Sequence, residues 1–323
     1  MRDNGAVTSP TPRPWTPAAN APAPRLVATD LDGTLLRDDK SVSPRTVAAL
    51  AAAEKAGIEV FFVTGRPARW MDVVSDHVHG HGLAICGNGA AVVDLHGGPG
   101  RHRFVKVREL APETALDVVH ILRAAAPGTS FAVERTGGLH HEPTYPPLHV
   151  EPGESVAAAE KLLADGSPCA DQPVLKLLAH HAELAPDEFL ALARAAVGDR
   201  ASITRSSPSA LLEISGPGVS KASTLALCCA ERGIDAAEVV AFGDMPNDME
   251  MLAWAGTSFA MGNAHPDVLA AASGHTVANN EDGVAAVIEQ ILAARGPSGE
   301  DSPGPGDRTP GTPETKEKQA KKG

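Results

Sequence analysis

Two aspartates stand one residue apart in Asp30-Leu31-Asp32-Gly33-Thr34, at the end of the apolar run Leu26–Ala28. On a continuing strand both carboxylates would project to the same side, and Gly33 lets the chain break so that Asp32 can swing over a site. Two carboxylates held this close repel unless a cation or the transfer of an anionic group uses them. On its own the pattern is also compatible with a turn followed by a helix cap.

Three further segments narrow the choice. Val63-Thr64-Gly65-Arg66 ends a second apolar run, and offers a hydroxyl and a closely approachable backbone N–H. Lys221 opens a helical stretch after Gly216-Pro217-Gly218-Val219-Ser220, where an ammonium can act as a point charge on phosphate. Val239–Phe242 runs into Gly243-Asp244-Met245-Pro246-Asn247-Asp248, adding two acidic groups and an amide at a strand-to-helix turn. In open α/β sheets ligands bind at the carboxyl ends of strands, where all four segments would meet.

The elements that must position these residues follow the same rhythm. Leu26–Ala28 is a first strand; Ser43 and Pro44 form the N-cap and first position of a helix that runs through Thr46–Ala56 and stops at Gly57. Ile58–Val63 is a second strand, Pro67–Val78 a helix and Leu83–Cys86 a third strand. The β-α-β-α-β order predicts a doubly wound parallel sheet. The pattern returns with a helix over Ser220–Glu231, a strand over Val239–Phe242, a helix over Asp248–Ala255 and a strand over Ser258–Met261. Between them, residues of about 107–215 read as an α+β insertion, with helices such as Glu113–Ala125 and Pro186–Val197 and strands such as Val174–Leu178 and Leu211–Ile214. Ala90–Val93 and Phe104–Val107 form a candidate hairpin that could belong to either part. The expected division is a Pro-rich disordered tail over 1–24, a core over 25–106 and 216–295, the insertion over 107–215, and a second disordered tail over 296–323.

The order DLDGT, VTGR, Lys, GDMPND resembles the haloacid dehalogenase superfamily of phosphotransferases. The insertion between the second and third motifs, preceded by Gly87-Asn88-Gly89-Ala90, resembles the Cof-type subfamily with its type IIB cap. That resemblance, over about residues 25–295, implies a Rossmann-like core, an α+β cap and Mg²⁺-dependent phosphatase activity. Carried over residue by residue, it makes Asp30 the nucleophile that becomes an aspartyl phosphate, and Asp32 the general acid and then base. It places Mg²⁺ on the side chains of Asp30 and Asp244 and the backbone carbonyl of Asp32, with Asp248 close by or bound through water. Thr64, Lys221, Asn247 and the backbone N–H groups of Leu31 and Gly65 would hold the phosphoryl oxygens. One departure is Ala222 after Lys221, where the family usually has glycine; alanine favours the helix and leaves the lysine in position.

Composition limits what else the chain can be. Its 323 residues are enough for two ordinary domains, and 43% hydrophobic with 21% charged residues fits a globular protein. The formal charge is −12, and because residues 1–24 contribute +1 and residues 296–323 nothing, the folded part carries −13. That argues against a nucleic-acid partner, while a small anionic substrate can still be held by local donors and a cation. There is no apolar run of membrane-spanning length and no apolar leader, so the expectation is a cytoplasmic protein with no membrane partner. Cys86, Cys169, Cys228 and Cys229 lack metal-ligand spacing and read as buried thiols.

Other candidates carry less. His77, His79 and His81 alternate around glycines without a ligand partner and read as a solvated loop. Glu134–Tyr145 is rich in Gly, His and Pro; as an insertion loop facing the cleft it could present Glu134, Arg135, His140 or His141 to the substrate's non-phosphate part. Arg66 could contact substrate or sit at a sheet edge. The expected activity is hydrolysis of a small phosphorylated metabolite, a sugar phosphate or a nucleotide or cofactor-precursor phosphate. The alternatives are a phosphomutase with the same residues and a phosphate-ligand sensor without turnover.

Overall fold

The computed structural model describes residues 22–75, 82–146, 153–205 and 209–295. It contains two sheets. The larger has eight strands in the order Gly274–His275, Thr257–Ala260, Val239–Gly243, Leu26–Thr29, Glu59–Val63, Leu83–Cys86, Ala91–Asp94, Arg103–Val107. The first six are mutually parallel, the seventh pairs antiparallel with the sixth, and the eighth antiparallel with the seventh. Leu26–Thr29 lies at the centre and is wholly buried, as expected of a strand covered on both faces. The candidate hairpin therefore belongs to the core sheet, as its antiparallel edge.

Local chemistry explains the helices. Ser43 Oγ accepts from the Thr46 N–H at 3.0 Å and Pro44 occupies the first turn of the helix Pro44–Lys55, which packs against Gly283–Arg295. Gly57, at φ +76°, ends it in a conformation that glycine adopts without strain. Of the helix expected over Pro67–Val78, residues 76–78 lie outside the described residues, and the described ones form a 3₁₀ turn, Ala68–Trp70, and then α-helix over Asp72–Ser75. Two diversions account for this: Ala68 O receives Met71 N–H and the His102 ring, and Ser75 Oγ bonds back to Asp72 O. His77, His79 and His81 lie outside the described residues, as do the tails except for 22–24.

The inserted segment forms the second sheet, antiparallel throughout, in the order Gly138–His141, Ser130–Arg135, Val174–His180, Leu211–Ser215, Ser202–Thr204. Three helices, Pro112–Ala125, Ala159–Leu163 and Pro186–Val197, form a hydrophobic core with one face of it, built on Phe131, Val133, Leu177, Leu212, Ile214 and Phe189. Strand alternation sends Ala132, Leu178 and Leu211 to the opposite face, where they pack with Leu139 and Tyr145. Part of Glu134–Tyr145, expected to be a loop, is half of a β-hairpin that turns at Thr136 and Gly137. Its His and Gly content hid a period-two pattern that strand pairing with Val174–His180 makes decisive.

Ser43→Ala removes the cap of the helix Pro44–Lys55 and leaves the Thr46 N–H without its side-chain partner. It is expected to lower unfolding free energy by about 1 kcal/mol with an unchanged urea m-value. An unchanged urea midpoint would contradict the assigned role of the cap.

Candidate active site

The core strands end together on one side, and their last residues carry the charged groups. Asp30 N–H donates to Phe242 O, which keeps the first strand in register with Val239–Gly243 up to the point where Asp30 and Asp244 leave the sheet. Gly33, at φ +78°, is required there on two grounds: the conformation suits glycine, and a Cβ would lie 2.3 Å from Asp244 Oδ2. Thr34 Oγ1 donates to Asp244 Oδ1 at 2.7 Å. Lys221, the first residue of a helix capped by Ser220, is 1% exposed and donates at 2.6 Å to both Asp30 Oδ1 and Asp248 Oδ1. Asp248 Oδ2 accepts the backbone N–H groups of Asp244 and Met245, both at 3.0 Å. Both oxygens of Asp248 are thus held by protein donors.

Carboxylate oxygens of Asp30, Asp244 and Asp248 lie within 4.8 Å of one another, all three residues buried. Burial pushes the Asp30 carboxyl well above its ordinary pKa; Lys221 opposes this, and Asp248 and Asp244 add to it. Burial, then Asp248, pushes Asp244 up to about 7, against the Thr34 hydrogen bond and Lys221. Burial would lower Lys221, but Asp248 and Asp30 outweigh it and hold the ammonium protonated. Three carboxylates against one ammonium leave an excess of negative charge in a poorly solvated place. Hard oxygen donors with that excess fit a small divalent cation.

Asp32 behaves differently. Its side chain is outside this cluster and meets Arg66 in a bidentate pair, with Nε to Oδ2 at 2.6 Å and Nη2 to Oδ1 at 2.7 Å; Lys40 adds 2.9 Å to Oδ1. Burial would raise its pKa, but the hydrogen bonds from Arg66 and Lys40 outweigh it and bring it down to about 2. Arg66, left open between substrate contact and a sheet edge, faces the cleft. Its backbone N–H donates to Thr64 Oγ1 at 3.1 Å.

A cavity of about 260 Å³ lies between these strand ends and the open face of the inserted sheet. Asp30, Asp32, Thr64, Gly65 and Asn247 line it from the core, while Leu31 is fully buried beneath. Of the four insertion residues singled out in the sequence, Glu134 alone is on the cavity wall, paired with Arg69. Arg135 alternates to the other face and donates to the carbonyls of Leu162, at 2.9 Å, and Gln172. His140 Nδ1 accepts from Ser155 N–H at 3.1 Å, and His141 meets Glu142 O at 2.8 Å and Glu154 at 3.4 Å. These three do not line the cavity. The placement of Arg135 corrects the expectation that it faces the cleft, because a strand cannot send two successive side chains to one side.

The structure adds residues that the motifs did not indicate: Lys176 and Glu213 from the inserted sheet, Asn88 after the third strand, and Arg69 and Trp70 on the 3₁₀ turn. A signal for two of them was present. Lys176 and Glu213 are single charges within the apolar strands Val174–His180 and Leu211–Ser215, where burial of a charge requires a partner.

Comparison with known proteins agrees with this geometry. A family model described as haloacid dehalogenase-like hydrolase matches residues 27–288. The chain belongs to that family. It is 29% identical to the Bacillus subtilis protein YxeH, whose name proposes a phosphatase, over 84% of this chain and 99% of that protein. It is also 29% identical to YitU of the same organism, named a 5-amino-6-(5-phospho-D-ribitylamino)uracil phosphatase, over 84% of this chain and 98% of that protein. Among solved structures, the HAD subclass IIB sugar phosphatase BT4131 superposes with a TM-score of 0.65 at 21% identity, over 83% of this chain and 98% of that one, a likeness of fold. The chain is thus a haloacid dehalogenase-like hydrolase with phosphatase relatives, and its core and inserted sheet share the fold of BT4131. No helix among the described residues is long and apolar enough to cross a membrane.

The raised Asp244 carboxyl predicts a pH dependence for a divalent cation that the acidic cluster would hold. Below pH 7 a proton must leave Asp244 when such a cation binds, so affinity for Mg²⁺ is expected to weaken as pH falls below 7, by up to about tenfold per pH unit from this carboxyl alone. In the metal-free protein the folded state binds this proton more tightly than the unfolded chain, whose value is near 3.8, so stability should fall as pH rises from there towards 7. Calorimetric titration of Mg²⁺ across this range checks the first point; an affinity independent of pH would contradict it.

Proposed function

We propose that the protein is a Mg²⁺-dependent phosphomonoesterase that passes a phosphoryl group from a small metabolite to Asp30 and then to water. The observation that carries this reading is the state of Asp30. It is buried beside the acidic cluster with Oδ1 held by Lys221, and no described side chain donates to Oδ2. A carboxylate oriented by one oxygen and free at the other is arranged to attack phosphorus.

The remaining roles follow from position. Asp30 and Asp244 would hold Mg²⁺ together with the Asp32 carbonyl, and Asp248 would orient Lys221 and the Asp244 backbone. When bound, Mg²⁺ supplies charge neutralisation for the nucleophile and the phosphoryl oxygens. Lys221, Thr64, Asn247 and the N–H groups of Leu31 and Gly65 would hold those oxygens in line. Asp32 would protonate the leaving oxygen and later deprotonate water. In the state described it is ionised and clamped by Arg66 and Lys40, the form suited to the second step. For the first step an arriving phosphate dianion competes with Asp32 for the Arg66 guanidinium, and so releases the carboxyl to carry a proton.

The inserted sheet acts as the cap that covers the site, excludes water and selects the leaving group. Its boundaries are taken as 107–215, between core segments 25–106 and 216–295. The substrate is a sugar phosphate or a nucleotide-type or cofactor-precursor phosphate. Support comes from the cavity size, from the sugar and ribityl substrates named for BT4131 and YitU, and from Glu134 with Arg69 on the wall. We place the reaction in the cytoplasm, in keeping with four buried, unpaired cysteines.

Asp30→Asn is expected to cut Mg²⁺-dependent phosphate release from para-nitrophenyl phosphate by about a thousandfold or more, with circular dichroism unchanged. Turnover close to wild type in that variant would remove Asp30 from the mechanism. Product analysis with a hexose phosphate and a bisphosphate activator separates hydrolysis from the phosphomutase alternative.

A further inference from the structure

Three polar side chains stand on the open face of the inserted sheet: Glu134, Lys176 and Glu213. Glu134 is directly opposite Lys176 in the strand pairing, and Glu213 is a diagonal neighbour of Lys176 on the other side. All three are at least 94% buried, so each must be satisfied by a specific partner. Lys176 pairs with Glu213, and Glu134 pairs with Arg69 of the core. The face carries one more carboxylate than cation until the core supplies Arg69.

The pair Lys176–Glu213 also reaches the two loops assigned to phosphate. Lys176 Nζ donates to the Gly65 carbonyl at 2.9 Å. Glu213 Oε2 accepts from Asn88 Nδ2 at 3.0 Å, and Asn88 Oδ1 accepts from Asn247 Nδ2 at 3.1 Å. Asn88 is 3% exposed and sits at φ +55°, a left-handed conformation that asparagine tolerates better than most residues, in the turn Gly87–Gly89. It makes one longer contact, 3.5 Å from Nδ2 to Thr204 Oγ1, a hydroxyl that can donate or accept and so carries no polarity.

The direction of this chain is forced. An ionised carboxylate only accepts, so Asn88 must turn its NH₂ to Glu213 and its oxygen to Asn247. Asn247 must then present its NH₂ side, and its Oδ1 is buried without a partner in the described structure. Phosphoryl oxygens also only accept, so only Nδ2, which has a second hydrogen, can serve them. A flipped amide would offer phosphate an acceptor.

We propose that Glu213, acting through Asn88, fixes the orientation of the Asn247 amide, while Lys176 fixes the Gly65 peptide, so that the inserted sheet completes phosphate recognition when it is docked. The three residues are positioning residues, and the proposal rests on the assignment of Asn247 and Gly65 as phosphate ligands made above. It separates two jobs of the inserted sheet: the apolar wall meets the leaving group, and the buried pair sets the phosphate loops. Its effect is therefore independent of which ester is bound.

The experiment compares wild type with Glu213→Gln, Asn88→Asp and the double variant carrying both, with Mg²⁺ present. The readouts are KM and kcat for para-nitrophenyl phosphate and one hexose phosphate, the inhibition constant of inorganic phosphate, and the thermal unfolding midpoint. Glutamine at 213 can donate or accept, so the direction is lost; KM and the inhibition constant should rise together by about three- to tenfold, with the ratio of kcat/KM between the two esters unchanged. Asn88→Asp sets two carboxylates against each other and should lose more. In the double variant the new amide at 213 accepts from Lys176 and donates to the new carboxylate at 88, which accepts from Asn247. The direction is restored, and phosphate inhibition should recover to within about threefold of wild type. A double variant no better than Asn88→Asp overturns the proposal, as does an unchanged inhibition constant in Glu213→Gln. So does a loss that follows the unfolding midpoint without rescue, which would assign the residues to stability alone. Wild-type protein that neither hydrolyses the esters nor binds inorganic phosphate would instead overturn the phosphatase reading itself.

Discussion

Three buried carboxylates, Asp30, Asp244 and Asp248, share one ammonium, that of Lys221. Desolvating an ion costs several kcal/mol, and one cation cannot compensate three anions. Much of the surrounding structure serves to keep these groups in place despite that cost. Lys221 is even placed in the first turn of a helix, where the dipole disfavours a cation, because two short carboxylate contacts outweigh it. Asp248 is held at both oxygens, Thr34 takes one oxygen of Asp244, and Gly33 is the residue that can pass beside the other. The excess charge fits a divalent cation, and in the proposed function that cation would draw in the phosphate.

The inserted sheet meets this charged floor with a face of its own. Strict alternation puts Phe131, Val133, Leu177 and Ile214 under the helices and leaves Glu134, Lys176 and Glu213 facing the core. Because the two parts are joined at the cavity by the ion pair of Arg69 with Glu134 and by hydrogen bonds from Lys176 to Gly65 and from Asn88 to Glu213, the docked arrangement has a defined register. The same contacts bring the loops that carry Gly65 and Asn88 under the influence of residues far away in sequence, such as Glu213, 125 positions from Asn88.

The placement of the core residues at one edge of the sheet was legible in the sequence because it is local. Asp30, Asp32, Thr64, Lys221 and Asp244 each stand at the end of an apolar run or the start of a helix, and strand ends converge in this class of fold. The helix Pro186–Val197 was readable to the residue from its proline, its period and its terminal glycine. What was not legible depends on pairing. Arg135 lies next to Glu134 yet faces away, and only the register with Val174–His180 decides which of them sees the cavity. The clamp of Arg66 and Lys40 on Asp32 arises from loop conformations that no spacing encodes. The 3₁₀ turn after Pro67 likewise has a distant partner, His102, which stands just before the strand Arg103–Val107, 34 residues from Ala68.

The central claim is that a phosphoryl group resides on Asp30 during turnover. A single-turnover reaction with an isotopically labelled phosphate ester and Mg²⁺, quenched in acid and mapped by peptide mass spectrometry, tests it directly. The account predicts transient, hydroxylamine-sensitive label on the peptide that contains Asp30, rising before free phosphate and decaying as phosphate appears. Phosphate released at full rate with no label on the protein at any time, or label on a different residue, would contradict it.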